Sequence, residues 1–157
     1  MHIISYFILY VNIINKLFIM SEKIIITHID NRNHFTRLLD NNPGLIIIKF
    51  GASWCRPCKL ITPVVDAFYA SSPDNILCCD IDIDECYDLY SYFKSKKMVS
   101  GVPTMLCYQK GNISYIPDEL IMGTKALDIN YFFKKCVQLY NTTNIRNNVK
   151  SVLTNNI

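Results

Sequence analysis

The chain has 157 residues, 50% of them hydrophobic and 18% charged, which fits one domain built around a single buried core. Its 16 Lys and Arg residues against 13 Asp and Glu residues give a net charge of +3. The basic residues form no dense run of the kind that neutralises phosphates, so we do not expect nucleic acid among the partners.

Residues 1–20 form an apolar segment that precedes the predicted domain. The run over residues 3–20 is interrupted by two asparagines and by Lys16, so it stops short of the ~20 apolar residues that span a bilayer. Three interpretations stay open: a retained membrane anchor, an upstream extension ahead of a start at Met20, and a signal peptide. The last fits poorly because no Lys or Arg precedes the run. We expect a cytoplasmic protein, or an anchor in residues 3–20 that leaves the domain in the cytosol.

In the first part of the predicted domain, which covers residues 21–140, short apolar runs alternate with helical patterns. Runs of β-branched and apolar residues predict strands at 24–26, 45–50 and 76–84. Apolar positions at helical spacing predict helices at 34–39, 58–70 and 85–97. Because the run at 45–50 is apolar almost throughout, it is typical of a central strand covered on both faces.

The second part of the domain adds a hairpin and a closing helix. The pattern predicts a strand at 104–109, a turn at 110–112, a hairpin partner at 113–116 and a helix from Asp128. Together the elements predict an α/β fold, with a central mixed β-sheet flanked by helices on both faces. Residues 141–157 contain six asparagines and few aliphatic residues, so we expect a disordered tail there.

Cys55 and Cys58 stand three positions apart at the start of the helix that follows the central strand. Unpaired backbone N–H groups and the positive dipole end favour a thiolate at the first of them. Such a position lowers a thiol pKa from ~8.5 to about 3.5–7.5. We therefore predict Cys55 as the nucleophile and Cys58 as the resolving thiol of a disulfide-exchange site. A zinc site would need two further ligands at suitable spacing, so we predict no metal.

The chain contains seven cysteines, an odd number without regular framework spacing. This pattern predicts a reducing compartment in which most thiols are free. Outside the first pair, the cysteines are expected to be small core residues, with Cys86 near a helix start as the best candidate for a regulatory thiol. The five are Cys78, Cys79, Cys86, Cys107 and Cys136.

From about residue 21 to residue 140 the chain resembles thioredoxin. The resemblance rests on the residues ASWCRPCK at 52–59, Pro63, IDID at 81–84, VPT at 102–104, KG at 110–111 and Gly123. It implies the thioredoxin fold and the reduction of protein disulfides by the dithiol, without a cofactor. It also implies disulfide-containing protein substrates and an electron donor similar to thioredoxin reductase.

The resemblance further implies how substrates reach the dithiol. Pro103 is expected to be a cis-proline that faces the two cysteines. The residues expected to surround the dithiol as a docking surface are Trp54, Ile83, Val102, Pro103 and Gly123.

Arg56 departs from the thioredoxin pattern, which usually has Gly between the first Cys and Pro57. Its positive charge near Cys55 favours the thiolate. Because a more stable reduced form makes a disulfide more oxidising, we hypothesise a reduction potential above the ~−270 mV typical of thioredoxin. A protein-disulfide oxidase or isomerase of the same fold is therefore an alternative, and a non-catalytic binding subunit is a second one.

Lys49 is the other departure, because thioredoxins typically carry a buried Asp six residues before the first Cys. The partner Lys of the family falls at Asp80, so the two charges are exchanged. We hypothesise that Lys49 and Asp80 face each other beneath the dithiol, since an unpaired buried ammonium is costly.

Overall fold

The computed structural model describes residues 23–154. The apolar segment at residues 1–20 lies outside the described residues, so its three interpretations stay open. The described elements follow one another in this order: β1 (Ile25–Ile26), α1 (Arg32–Asp40), β2 (Leu45–Gly51), α2 (Arg56–Ser71), β3 (Ile76–Asp82), α3 (Tyr87–Ser95), β4 (Thr104–Gln109), β5 (Glu119–Met122) and α4 (Ala126–Thr154).

The strands form one mixed sheet in the order β1-β3-β2-β4-β5. β3 runs parallel to β1 and to β2, and a helix connects β2 to β3, as parallel pairing requires. β4 runs antiparallel to β2 and β5. The mixed sheet predicted from the sequence is confirmed.

β2 lies at the centre of the sheet and is buried along its full length. Successive side chains of a strand point to opposite faces, so this apolar run contributes to two cores. Leu45 and Ile47 pack with residues of α2 and α4, whereas Ile46 and Phe50 pack with residues of α1 and α3. Helices therefore cover both faces, and Lys49 shares the α2 face with Ile47.

α2 begins directly after Cys55, whose side chain caps the first turn. Pro57 stands in that turn, where its missing N–H costs no hydrogen bond. Farther along, Ile61, Val65 and Tyr69 recur four residues apart and pack α2 against the sheet. This packing fixes the N-terminus of α2 at the end of β2.

Helix boundaries differ from the predicted ones by one or two residues. α3 begins after Cys86 and ends at Ser95, whereas the pattern predicted residues 85–97. Lys97 adopts a φ of 59°, a conformation that cannot continue a right-handed helix. α4 begins ahead of Asp128, its predicted start.

The hairpin partner of β4 is Glu119–Met122, and the predicted strand at 113–116 is wrong. Side chains in the connection bind backbone groups instead. Asn112 Nδ2 donates to the Ile116 carbonyl at 3.1 Å, and Asp118 Oδ2 accepts from the N–H of the last β4 residue at 2.7 Å. The predicted turn does form, closed by the Asn112 N–H on the Gln109 carbonyl at 3.0 Å, but these contacts stabilise a loop between that turn and β5.

The predicted disordered tail at residues 141–157 is corrected over residues 141–154, which continue α4. The sequence contains no Gly or Pro after Gly123, and Asn costs only up to ~0.7 kcal/mol per residue relative to Ala in a helix. The Thr143 hydroxyl donates to Gln109 Oε1 at 3.0 Å, which joins this part of the helix to the end of β4. Neither α4 nor any other helix within residues 23–154 is long and apolar enough to cross a bilayer.

Phe133 of α4 stacks on Phe68 of α2 with ring centroids 4.0 Å apart, so it helps to hold α2 in place. Phe133→Ala removes this contact and leaves a cavity, and we expect the free energy of unfolding in urea to fall by about 3–4 kcal/mol. Tyr131→Ala, on the exposed face of the same helix, is the control and should cost less than about 1 kcal/mol. Equal losses in the two variants would contradict this role of Phe133.

Candidate functional site

The connection between β2 and α2 brings Cys55 and Cys58 together. The two residues form a disulfide, with their Cα atoms 5.3 Å apart. The backbone N–H of Cys58 also donates to Cys55 Sγ at 3.2 Å. Both cysteines are buried, while Arg56 and Pro57 between them are exposed. The structure therefore joins the two cysteines that their spacing in the sequence predicted to act together.

The electrostatic environment of Cys55 follows from its position as the N-cap of α2. The free N–H groups of the first turn and the helix dipole place partial positive charge at its sulfur. When the disulfide is reduced, the N–H of Cys58 stabilises negative charge on Cys55 Sγ. Arg56 is exposed, so water and salt screen part of its charge.

Pro103 lies at the same end of the sheet as the dithiol. The Val102–Pro103 peptide bond is cis, as the resemblance implies. The next residue, Thr104, pairs with Phe50 near the end of β2. The N–H of Gly123, a residue with a φ of 119°, donates to the Pro103 carbonyl at 3.3 Å. The structure thus groups these residues at one end of β4 and β5, and their role in substrate docking stays a prediction.

Two aspartates that the sequence analysis did not assign hold the turn ahead of Cys55. Asp84 Oδ2 accepts from Trp54 Nε1 at 2.7 Å, and Asp82 Oδ2 accepts from the Ser53 N–H at 2.9 Å. Ile83 between them donates its N–H to the Gly51 carbonyl at 2.9 Å. An Asp-x-Asp pattern at the end of the strand parallel to β2 is the signal that could have identified them.

Lys49 and Asp80 form the ion pair predicted from the sequence, in which the two charges are swapped relative to the thioredoxin pattern. They are cross-strand neighbours on β2 and β3, and both side chains lie on the face covered by α2. Lys49 Nζ lies 2.8 Å from each of the two carboxylate oxygens of Asp80. Lys49 is buried, and Asp80 is partly exposed.

A pocket of about 370 Å³ extends beneath the dithiol on the α2 side of the sheet. Its size and polar lining allow it to hold water. The residues that border it include Thr27, Lys49, Ser53, Cys58, Asp80 and Glu85. The resolving cysteine and the ion pair therefore share one polar space.

The remaining cysteines are free and buried. Burial raises the pKa of the thiols of Cys78, Cys79 and Cys86. A hydrogen bond with Cys136, together with burial, raises the pKa of Cys107. Because neutral thiols are poor nucleophiles, these residues fit the core role predicted for them. Within residues 23–154, no group of three or more His, Cys, Asp or Glu side chains is arranged to hold a metal ion.

A family model described as Thioredoxin matches residues 26–134, a range that includes every site residue from Lys49 to Gly123. Thioredoxin from Oryctolagus cuniculus is 30% identical over 87 residues, which are 55% of this chain and 78% of that protein. Thioredoxin from Pseudomonas aeruginosa is 33% identical over 70 residues, which are 45% of this chain and 61% of that protein.

Solved structures agree with the fold. A thioredoxin from Nicotiana alata superposes with a TM-score of 0.56 at 25% identity, over 74% of this chain and 92% of that chain. Plasmodium falciparum thioredoxin gives a TM-score of 0.55 at 20% identity, over 70% of this chain and 98% of that chain. The thioredoxin fold predicted from the sequence is confirmed.

Trp54 is the single tryptophan of the chain, so its fluorescence reports on the hydrogen bond to Asp84. Asp84→Ala removes the acceptor, and we expect the exposed indole to move more freely and its steady-state fluorescence anisotropy to fall. Asp88→Ala, an exposed aspartate in the first turn of α3, is the control and should leave the anisotropy unchanged. An unchanged value in Asp84→Ala would show that this contact does not orient Trp54.

Proposed function

The chain belongs to the thioredoxin family, and from this premise we propose that it is a thiol–disulfide oxidoreductase that reduces protein disulfides through Cys55 and Cys58. The observation that supports the proposal most directly is the Cys55–Cys58 disulfide at the N-terminus of α2, where Cys55 Sγ accepts the Cys58 N–H. A helix N-terminus stabilises the thiolate that disulfide exchange requires.

The first step forms a mixed disulfide. The Cys55 thiolate attacks one sulfur of the substrate disulfide, and the other substrate sulfur leaves as a thiolate that takes up a proton. Cys58 then attacks Cys55 Sγ as a thiolate, and the second substrate sulfur leaves in the same way. Two electrons pass to the substrate, and the Cys55–Cys58 disulfide forms again.

We propose proteins that contain disulfides as the substrates, with docking at the end of the sheet where the dithiol lies. Trp54 is 64% exposed beside Cys55, and Gly123 is exposed, so both are accessible to a partner. Val102 is partly exposed and extends the proposed docking surface, whereas Ile83 and Pro103 are buried and would support it from beneath. A dithiol donor similar to thioredoxin reductase would return the site to its reduced form.

A protein-disulfide oxidase or isomerase is the second candidate. Arg56 beside Cys55 adds one positive charge near the dithiol, and Lys49 beneath Cys58 adds a second that the Asp80 carboxylate partly cancels. Positive charge stabilises the thiolates of the reduced form, which makes the disulfide a stronger electron acceptor. The same residues would then oxidise substrate thiols by the reverse of the steps above.

Insulin reduction by the full-length chain, with dithiothreitol as electron source, tests the proposed activity. We expect turnover in the unaltered protein and a loss of at least about 100-fold in Cys55→Ser, because Cys58 alone cannot close the disulfide that releases the substrate, and burial raises the pKa of the Cys86 thiol at the start of α3. Cys136→Ser removes a buried thiol and should keep the activity. A folded protein without turnover would instead favour a binding subunit whose thiols are incidental.

Cys58→Ser tests the order of the two steps. Without the resolving thiol, the mixed disulfide on Cys55 should persist and appear on non-reducing gels as a covalent adduct. Treatment with dithiothreitol should then release the substrate in its reduced form. Cys55→Ser should form no such adduct. If Cys55→Ser instead forms adducts on Cys58 as fast as Cys58→Ser forms them on Cys55, the assignment of nucleophile and resolving thiol would be reversed.

A further inference from the structure

Lys49 is the one charged residue that is buried among the residues whose side chains the structure describes, 23–146 and 151. Its ammonium donates to both carboxylate oxygens of Asp80. Such a pair must overcome the cost of removing two charges from water, and well-packed apolar residues often stabilise a core as well or better. The position of this pair beneath the dithiol therefore favours a role in the reaction over a role in stability.

Gly51 leaves the space between the Lys49 side chain and the sulfur of Cys58 free of any side chain. A Cβ added to Gly51 would lie 3.6 Å from Cys58 Sγ and 3.8 Å from Lys49 Cε. The two side chains thus border the same point, and no side chain of residue 51 separates them. Both also border the polar pocket beneath the dithiol.

The two charges of the ion pair differ in their exposure to solvent. The Asp80 side chain is 37% exposed, and the Lys49 side chain is 8% exposed. Water reduces the field of an exposed charge more than that of a buried one. The Asp80 carboxylate therefore cancels only part of the positive potential that Lys49 produces at the Cys58 sulfur.

From this arrangement we propose that Lys49 is a positioning residue that acts through Cys58, by stabilising the Cys58 thiolate in the second exchange step. The inference rests on the proposed function, because it assigns Lys49 a role within that reaction. In the mixed disulfide, the Cys58 thiol loses its proton to solvent, and the ammonium stabilises the thiolate that remains. This thiolate attacks Cys55 Sγ, the bond from Cys55 to the substrate sulfur breaks, and the substrate thiolate takes up a proton from solvent.

Alkylation of Cys58 by iodoacetamide as a function of pH tests the proposal in the full-length chain carrying Cys55→Ser. Peptide mass mapping separates Cys58 from the other thiols. Adding Lys49→Met should raise the midpoint of the Cys58 profile by about one pH unit, a tenfold loss of thiolate near neutrality. Lys49→Arg keeps the charge and should restore most of the thiolate.

Asp80→Asn provides the decisive comparison, because it removes the negative charge that partly cancels Lys49. The proposal requires the Cys58 midpoint to fall in Asp80→Asn and to rise in Lys49→Met. A purely structural pair would move both midpoints in the same direction, and that result, or no shift in Lys49→Met, overturns the proposal. If Lys49→Met does not fold, as judged by circular dichroism, Lys49→Gln replaces it in this comparison, and the same two directions are required. The assay needs no turnover, so its failure leaves the insulin result of the unaltered chain intact.

Discussion

β2 is buried between β3 and β4 along its whole length, and it ends at Gly51, a short turn ahead of α2. Because α2 packs against the same sheet, its N-terminus has little freedom to move away from the end of β2. Cys55 is the N-cap residue at that point, and its sulfur accepts the Cys58 N–H. The position of both sulfurs, and the partial positive charge around them, follows from this connection.

Neighbouring strands add the groups that complete the site. β3 ends beside β2, so its last residue, Asp82, holds the backbone ahead of Cys55, and Asp84 in the turn after it holds the indole of Trp54. β4 begins just after the cis peptide bond at Pro103. One end of a single sheet therefore gathers the dithiol, an exposed aromatic side chain and an extended backbone segment. Such a surface fits the polypeptide substrates that we propose.

The charges around the dithiol are arranged in an unusual way for a thioredoxin. The exposed Arg56 contributes a screened charge next to Cys55, and the buried Lys49 contributes a less screened charge beneath Cys58. Both favour thiolates, and a stabilised reduced form makes the disulfide easier to reduce. The same geometry that supports disulfide exchange thus bears on the direction in which electrons pass.

The sequence predicted the parts of the structure that depend on local apolar patterns. β4 has its predicted bounds and β2 extends one residue beyond its own, because a buried strand needs a run that is apolar almost throughout. The Lys49–Asp80 pair was also predictable, since a buried charge requires a partner and parallel register supplied one. The position of β5 was not, because the side chains of Asn112 and Asp118 bind the loop backbone in a way that residue spacing does not reveal.

Long-range contacts account for the other features of the structure that the sequence did not predict. The indole of Trp54 meets Asp84 thirty residues later in the chain, and only the pairing of β2 with β3 brings them together. α4 continues past Tyr140 although its sequence is rich in Asn, in part because Thr143 meets the end of β4. Neither contact leaves a periodic signal in the sequence.

The reduction potential of the Cys55–Cys58 disulfide tests the account of this site most directly. The full-length protein is equilibrated with glutathione buffers of increasing ratio of reduced to oxidised form, and the fraction of the disulfide is measured after acid quenching. The charge of Arg56, together with the part of the Lys49 charge that Asp80 leaves uncancelled, predicts a potential above the ~−270 mV typical of thioredoxin. A potential at or below that value would contradict the claim that Arg56 and Lys49 stabilise the reduced form.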